Sequence, residues 1–337
     1  ARMSEPTLRL LRRIVGSFPQ PMSACFAYGS AVFEQSGRVR GSGMLDLVFV
    51  VPDSRAWHEA NLARHRSHYS GMGSLGAGAV ARIQEGLGAG VYFNTLVPAA
   101  EGRTVKYGVV SVDSLLADLT EWRWLYLAGR LHKPVAWVVE PDSTGQDCPR
   151  LSEALDANRT AALAAGLLTL LPDNRVDRRR LLAAVCGLSY GGDVRMAFAE
   201  DSGKVQNIAV PQAPLLTDIY RPLAAKRLPF LTWQQQDSAD SNDDVITWTA
   251  EPDQLAELIA CLPAPLASEL TAPLQSGASA RDIAKILRSR LRRIVSRSSL
   301  GQTVKSAVTA GVLKSVRYGG AKVAKWFASV APWLTKR

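Results

Sequence analysis

Two short stretches carry residue types that together suit chemistry on phosphates. Phe26-Ala-Tyr-Gly-Ser-Ala-Val-Phe33 contains a Gly-Ser turn, and Met44-Leu-Asp-Leu-Val-Phe-Val-Val51 places one carboxylate at the head of an apolar run. Gly29 lets backbone come within contact distance of a polyphosphate, and Ser30 adds a hydroxyl and an N–H. Tyr28 precedes them on the same segment. The apolar run reads as a buried strand, so Asp46 would face the turn and ligate a magnesium ion that bridges phosphate oxygens. Nucleotidyl transfer is the chemistry this pair supports. The plainer reading is an ordinary strand-turn-helix junction with Asp46 as a polar residue facing a helix.

The elements that must position these residues follow from periodicity. Residues 8–15 read as a short amphipathic helix leading into the strand before Gly29, and residues 36–43 as a loop in which Arg38 or Arg40 could reach phosphates. A helix is expected over 56–69, a Gly-rich connection over 71–78, strands over 91–97 and 104–110, a helix over 114–131 and a strand over 135–139. That order suits a small mixed sheet flanked by helices, an α+β fold. Lys106 lies on the second of those strands among apolar neighbours, and a buried lysine requires a charged partner. A triphosphate would supply it, as would a salt bridge to Asp46 or Glu121. Arg130 and Lys133 end the long helix, where they would clamp the phosphate of a second substrate or simply stabilise a helix C-terminus.

Beyond residue 150 the texture becomes helical, over 151–171, 177–186 and 252–261. A hairpin is expected from Pro229–Trp233 and Val245–Thr249 around the acidic loop 237–244. Helices with a wing-like hairpin suggest a winged-helix-like second domain, whose acidic loop would repel nucleic acid. The expected domains are 1–145, 146–270 and a tail over 283–337, with the Pro/Ala/Ser-rich stretch 263–280 as a linker.

Charge is uneven along the chain. From Ile283 to Arg337 there are 13 Lys or Arg and no acidic residue, so the whole surplus of +10 resides in this tail. Ile283, Ile286, Leu287, Leu291, Ile294 and Val295 recur there at helical spacing with basic residues between them, and Trp326, Phe327 and Trp333 follow. A basic amphipathic segment of this kind suits contact with an anionic membrane surface, where each basic side chain contributes about 1 kcal/mol; a helix packed on the body or a basic arm on nucleic acid would share the pattern. The longest apolar stretch, Thr160 to Leu171, is too short to span a bilayer. Four scattered cysteines without C-x-x-C spacing indicate buried thiols rather than a disulfide framework or a zinc site. Gly71-Met-Gly-Ser-Leu-Gly76 spells G-x-G-x-x-G but follows a helix rather than a strand, and His58-Glu59 lacks the second histidine of a zinc protease, since position 62 is Leu62. His65 and His68, three apart, read as surface or hydrogen-bonded residues.

Eight blocks in order carry a more specific signal: YGSAVF (28–33), MLDLVFVV (44–51), AWHEANL (56–62), RSHYS (66–70), GAGVYFNTL (88–96), VKYGVVS (105–111), LYLAGRLHKPV (125–135) and GLSYGGDVRM (187–196). Through them the first 200 residues resemble the mitochondrial-type phosphatidate cytidylyltransferases, the translocator assembly and maintenance family. The chain departs from that family's Tyr-Gly-Ser-Gly at Ala31. It also departs from the Asp-x-Asp of the wider polymerase-β-like superfamily, with Val48 in place of the second aspartate.

The resemblance implies a nucleotidyltransferase fold and transfer of CMP from CTP to phosphatidic acid, giving CDP-diacylglycerol and pyrophosphate with Mg2+. It assigns Tyr28, Gly29 and Ser30 to the nucleotide, Asp46 to the metal, and Lys106 to the nucleotide's phosphates as a catalytic charge. Asp193 becomes the second catalytic carboxylate and candidate second ligand, with Asp53 as fallback, and Arg130, Lys133 and Arg195 receive the lipid head group. It also implies a peripheral membrane protein with no nucleic-acid partner. Met3-Ser-Glu-Pro reads as a start that leaves no room for a presequence, which points to a bacterial member on the cytoplasmic face of the inner membrane; a eukaryotic member would sit on the matrix face. Transfer to a soluble acceptor and a non-enzymatic scaffold role are the competing readings.

Overall fold

The computed structural model describes residues 5–37, 43–141, 148–198, 203–235 and 244–310. Helix α1 (Glu5–Gly16) leads to strand β1 (Ala24–Tyr28), followed by β2 (Leu45–Val51), α2 (Ser54–Arg64), α3 (Ala77–Gly86), β3 (Val91–Pro98), β4 (Thr104–Ser111), α4 (Val112–Glu121), α5 (Leu127–Leu131) and β5 (Ala136–Val139). The strands form one mixed sheet in the order β3-β4-β2-β1-β5, with β2 and β4 parallel and the other neighbours antiparallel. Arg38 and Arg40 lie outside the described residues.

Both faces of this sheet are covered, which is why β2 reads as a nearly continuous apolar run instead of alternating. Leu11, Ile14, Phe18 and Trp57 pack on Cys25, Ala27, Leu47, Phe49 and Tyr107 on one face. On the other, Leu115, Leu119, Leu127 and the helical half pack on Phe26, Val48, Val50, Phe93 and Val110. Each apolar side chain so enclosed contributes roughly 1.5–3 kcal/mol. Within β2 Asp46 alone is half-buried rather than buried.

The second half is built around α6 (Cys148–Leu170). Its residues 161–168 are buried all round, Gly166 fitting against Val185, so this half of the helix has no polar face to display, whereas Ser152, Glu153 and Asp156 of its first half are exposed. Strand β6 (Arg175–Asp177), α7 (Arg178–Gly187), α8 (Val194–Phe198), α9 (Lys204–Ala209), α10 (Ala213–Arg227), β7 (Thr232–Gln234), β8 (Val245–Thr247), α11 (Pro252–Ala260), α12 (Ala264–Gln275) and α13 (Ala280–Ala310) complete it. The expected hairpin forms, and β6 joins it to give a small antiparallel sheet of order β6-β8-β7.

Three expectations are corrected. The helix read over 114–131 is two helices, because Trp122 takes a left-handed conformation (φ 51°) that ends α4. The stretch read as a linker holds α12, whose Pro265 sits in the first turn, where a missing N–H costs nothing, and whose Pro273 lies near its end. The apolar stripe of the tail is not available to a bilayer: Ile283, Leu287, Leu291 and Val295 are buried against the body on α13. The remainder of the tail, 311–337, lies outside the described residues. Among the described residues no helix is long and apolar enough to cross a membrane.

Candidate active site

Pairing across three strands places Tyr28 of β1 directly opposite Asp46 of β2, and Asp46 opposite Lys106 of β4. All three side chains therefore project from one face of the sheet, the face turned toward the helical half. Lys106 Nζ stands 3.8 Å from Asp46 Oδ1, an ion pair too long to be a hydrogen bond. Both side chains are about a fifth to a quarter exposed, at 19% and 25%. The ammonium also rests over the Phe93 ring, 4.4 Å from its centroid.

Gly29 follows Tyr28 with φ +85°, the left-handed region that glycine alone enters without strain. A Cβ there would meet Asp46 Oδ2 at 3.0 Å, so the carboxylate lies directly against bare backbone. The turn closes with the N–H groups of Val32 and Phe33 donating to Gly29 O. Ala31, where the resemblance expects glycine, is buried in ordinary helical-turn packing. Arg130 on α5 lays its guanidinium over the Tyr28 ring at 5.2 Å, and burial pushes the phenol pKa of the half-buried Tyr28 up.

A family model described as "Phosphatidate cytidylyltransferase, mitochondrial" matches residues 11–325. Proteins of that same name from Xenopus laevis and Drosophila melanogaster are 39% and 40% identical to the chain, covering 97% and 95% of it and 98% and 99% of their own lengths. The Danio rerio protein of that name is 38% identical over 96% of the chain and 97% of its own length. The chain belongs to the mitochondrial phosphatidate cytidylyltransferase family.

Other family-block residues are placed differently. Asp193 is buried, and both of its oxygens are held by Arg195: Nε donates to Oδ1 and Oδ2 at 2.9 and 3.1 Å and Nη2 to Oδ2 at 2.6 Å, while the Arg195 backbone N–H also donates to Oδ1 at 2.9 Å. Such a carboxylate is committed as a partner for arginine. Its neighbour Gly192 (φ +88°) packs against Arg292 of α13 rather than opening toward a ligand. Asp53 caps α2 by accepting the Ala56 N–H at 2.9 Å, and it lies seven residues from Asp46 past the other end of β2, about 20 Å away at strand rise. Lys133 is fully enclosed: its ammonium donates to Gly129 O (2.5 Å), Ser189 Oγ (3.1 Å) and Cys186 O (3.3 Å). Burial pulls its pKa down to about 7, while three acceptors match the three protons of an ammonium. It ties α5 to the loop after α7 and does not face the site.

These cytidylyltransferase-family residues leave one carboxylate, Asp46, for a divalent ion. Among the described residues no cluster of three or more His, Cys, Asp or Glu could hold a metal. That fits magnesium, which commonly takes one or two carboxylates and completes its shell with phosphate oxygens and water. Sequence reading missed Tyr126 of the α4–α5 turn, whose ring lies beside Phe93 (6.4 Å) and under Arg195 (5.5 Å). A hollow of about 550 Å3 between α2 and α3, lined by Asp53, Arg55 and Gly78, is at the far end of β2 from this site.

Proposed function

We propose that the chain transfers the cytidylyl group of CTP to phosphatidate, forming CDP-diacylglycerol and releasing pyrophosphate. The observation that carries this reading is the row Tyr28–Asp46–Lys106 across three strands, with the bare backbone of Gly29 against the carboxylate. In the same reading the sheet half is a nucleotidyltransferase fold of polymerase-β type and the helical half a winged-helix-like support.

The reaction joins two anions, so repulsion is its chief obstacle. Gly29 and Ser30 offer the triphosphate a turn without side-chain bulk, and Tyr28 lines it. Asp46 would hold the magnesium ion, which when bound supplies charge neutralisation across phosphate oxygens. Lys106 neutralises charge on the transferring or leaving phosphate. Arg130 and Arg195 approach from the helical side and receive the phosphate of the acceptor; Lys133, enclosed behind them, holds α5 in place. An oxygen of the acceptor phosphate attacks the α-phosphorus, the bond from that phosphorus to the β-phosphate oxygen breaks, and pyrophosphate departs with the electron pair. No general base is required, because the attacking oxygen is already ionised at neutral pH.

Incubation with labelled CTP, Mg2+ and phosphatidate vesicles tests the assignment: label is expected in lipid-linked cytidine, and its absence would refute it. For the tail, the reading assigns membrane contact to residues 311–337, because α13 is spent on packing. A chain ending at Ala310 should bind CTP normally and lose activity on vesicles; truncation before α13 would instead strip helix from the core.

A further inference from the structure

The turn between α4 and α5 is held by a buried carboxylate that belongs to neither the metal site nor the surface. Asp118 on α4, 2% exposed, accepts the backbone N–H of Trp124 on Oδ1 (2.9 Å) and those of Tyr126, Leu127 and Ala128 on Oδ2 (3.1, 2.8 and 2.9 Å). Helix α5 has no cap from its own Tyr126 side chain, so a residue of the preceding helix satisfies its orphan N–H groups. Two non-glycine residues of the turn, Trp122 (φ 51°) and Leu125 (φ 50°), occupy the left-handed region, which persists only where the surroundings impose it. Asn158 of α6 locks the other side: its Oδ1 accepts the Trp122 indole N–H at 2.8 Å and its Nδ2 donates to Ala128 O at 3.2 Å.

What this rigid turn presents is Tyr126 and, one helical turn later, Arg130. The Tyr126 ring is the surface on which Arg195 sits, 5.5 Å from its centroid, with Arg195 Nη1 3.4 Å from the phenol oxygen. Asp193 grips the same guanidinium along its Nε and Nη2 edge. The orientation of Arg195 is thus set by a carboxylate on one side and an aromatic face on the other. Tyr126 also touches Phe93, the ring beneath Lys106. The spacing of the two cations, one on the sheet and one on the helical half, therefore runs through two contacting rings.

We infer that Tyr126, held by Asp118, is a positioning residue that seats Arg195 at a fixed place relative to Lys106 and so sets the enzyme's affinity for the acceptor phosphate. The inference rests on the reading of Arg195 as an acceptor-side cation given above. A cation on an aromatic ring contributes an amount that corresponds to roughly 2- to 30-fold in an equilibrium. The phenol oxygen, at a marginal distance, contributes less.

The test is steady-state kinetics with CTP and phosphatidate varied separately in mixed micelles, together with direct CTP binding and thermal unfolding of the same samples. Tyr126→Leu is expected to raise KM for phosphatidate about 5- to 10-fold and leave the Kd for CTP within about twofold. Tyr126→Phe, which keeps the ring, should restore KM to within about threefold of the parent. Asp118→Asn, which turns an amide donor toward donor N–H groups, should reproduce the rise in KM and lower kcat as well. Tyr126→Met, of similar bulk, is read alongside should the leucine variant fail to fold. A phosphatidate KM unchanged in both the leucine and methionine variants, or a CTP Kd weakened as much as that KM, would overturn the inference. A parent protein inactive on phosphatidate would overturn the acceptor reading itself, an outcome visible before any variant is made.

Discussion

Lys106 and Tyr107 are neighbours on β4, point to opposite faces of one sheet, and serve two polar clusters of opposite design. On Tyr107's face a chain of neutral hydrogen bonds runs through the side chains, although the buried Tyr92 hydroxyl beside it has no partner. Asn61 and Asn94 each donate to its oxygen at 2.9 Å, and its own hydrogen is directed to His68 Nδ1 at 3.1 Å. Asn61 also donates to Tyr69, Tyr69 donates to His58 Nδ1 at 2.7 Å, and His58 Nε2 donates to Gln84 Oε1 at 2.9 Å, a proton assignment that the network imposes on a neutral imidazole. His65 stacks on His68 at 4.7 Å, so these two histidines belong to packing and hydrogen bonding. On Lys106's face two full charges stand 3.8 Å apart, in partial contact with water, against backbone that lacks a side chain. A buried neutral network holds a fold together, whereas opposed charges at a half-open edge are arranged for something that arrives with charge of its own.

Substitutions on the two faces sharpen that contrast. Asp46→Asn should lower turnover by about 1000-fold or more while leaving the unfolding temperature within a few degrees; a retained rate would break the assignment of the charged face. Lys106→Met should cost about 100-fold in kcat/KM with normal folding. Tyr107→Phe should do the reverse, lowering stability by about 1–3 kcal/mol because two amide donors lose their acceptor, with kcat within about twofold. If its kcat fell as far as that of the lysine variant, the two faces would not be separate.

The last effect is one of pH. Burial holds His58 neutral with its pKa pulled down to about 4. Below its ordinary value of about 6.5 the unfolded chain takes up a proton that the folded chain refuses. Stability is therefore complete above about pH 6.5 and declines as pH falls toward 4. His58→Gln, though less stable at neutrality, should shrink the loss between pH 7 and pH 5 by about 2 kcal/mol, measured from urea midpoints.

The sheet was legible because runs such as LDLVFVV and TVKYGVVS combine β-branched content with strand length. Its register was not, yet the alternatives offered for Lys106 included Asp46, and parallel pairing of β2 with β4 brings the two side by side. The α4–α5 break was hidden because Leu and Trp continue at helical spacing through it; the interruption is held by Asp118, which caps the next helix from 6 to 10 residues upstream, a bond that periodicity does not report. The tail illustrates a different limit. Helical spacing at 283–295 reveals an apolar stripe but not what covers it, and here the cover is the protein's own α6 and α12. Asp193 and Lys133 looked available because Gly-Gly and a helix end are permissive, whereas the first is matched with Arg195 and the second with two carbonyls and a hydroxyl.

Helix α13 finishes against the sheet. Lys305, buried with its pKa drawn down to about 7, donates to Gln84 O (2.8 Å) and Val91 O (3.1 Å), and Gln302 accepts the Ala89 N–H at 3.1 Å beside Gly88, whose missing Cβ makes room for it. These contacts join positions 213 to 221 residues apart, at the end of α3 and the beginning of edge strand β3. At ribosomal speeds of about 5–20 residues per second, that border of the sheet emerges some 10–40 s before the helix that will cover it. Throughout that interval an exposed β-edge, a template for pairing with any neighbouring chain, must be shielded by chaperones or left unformed, so synthesis of this protein carries its own period of vulnerability.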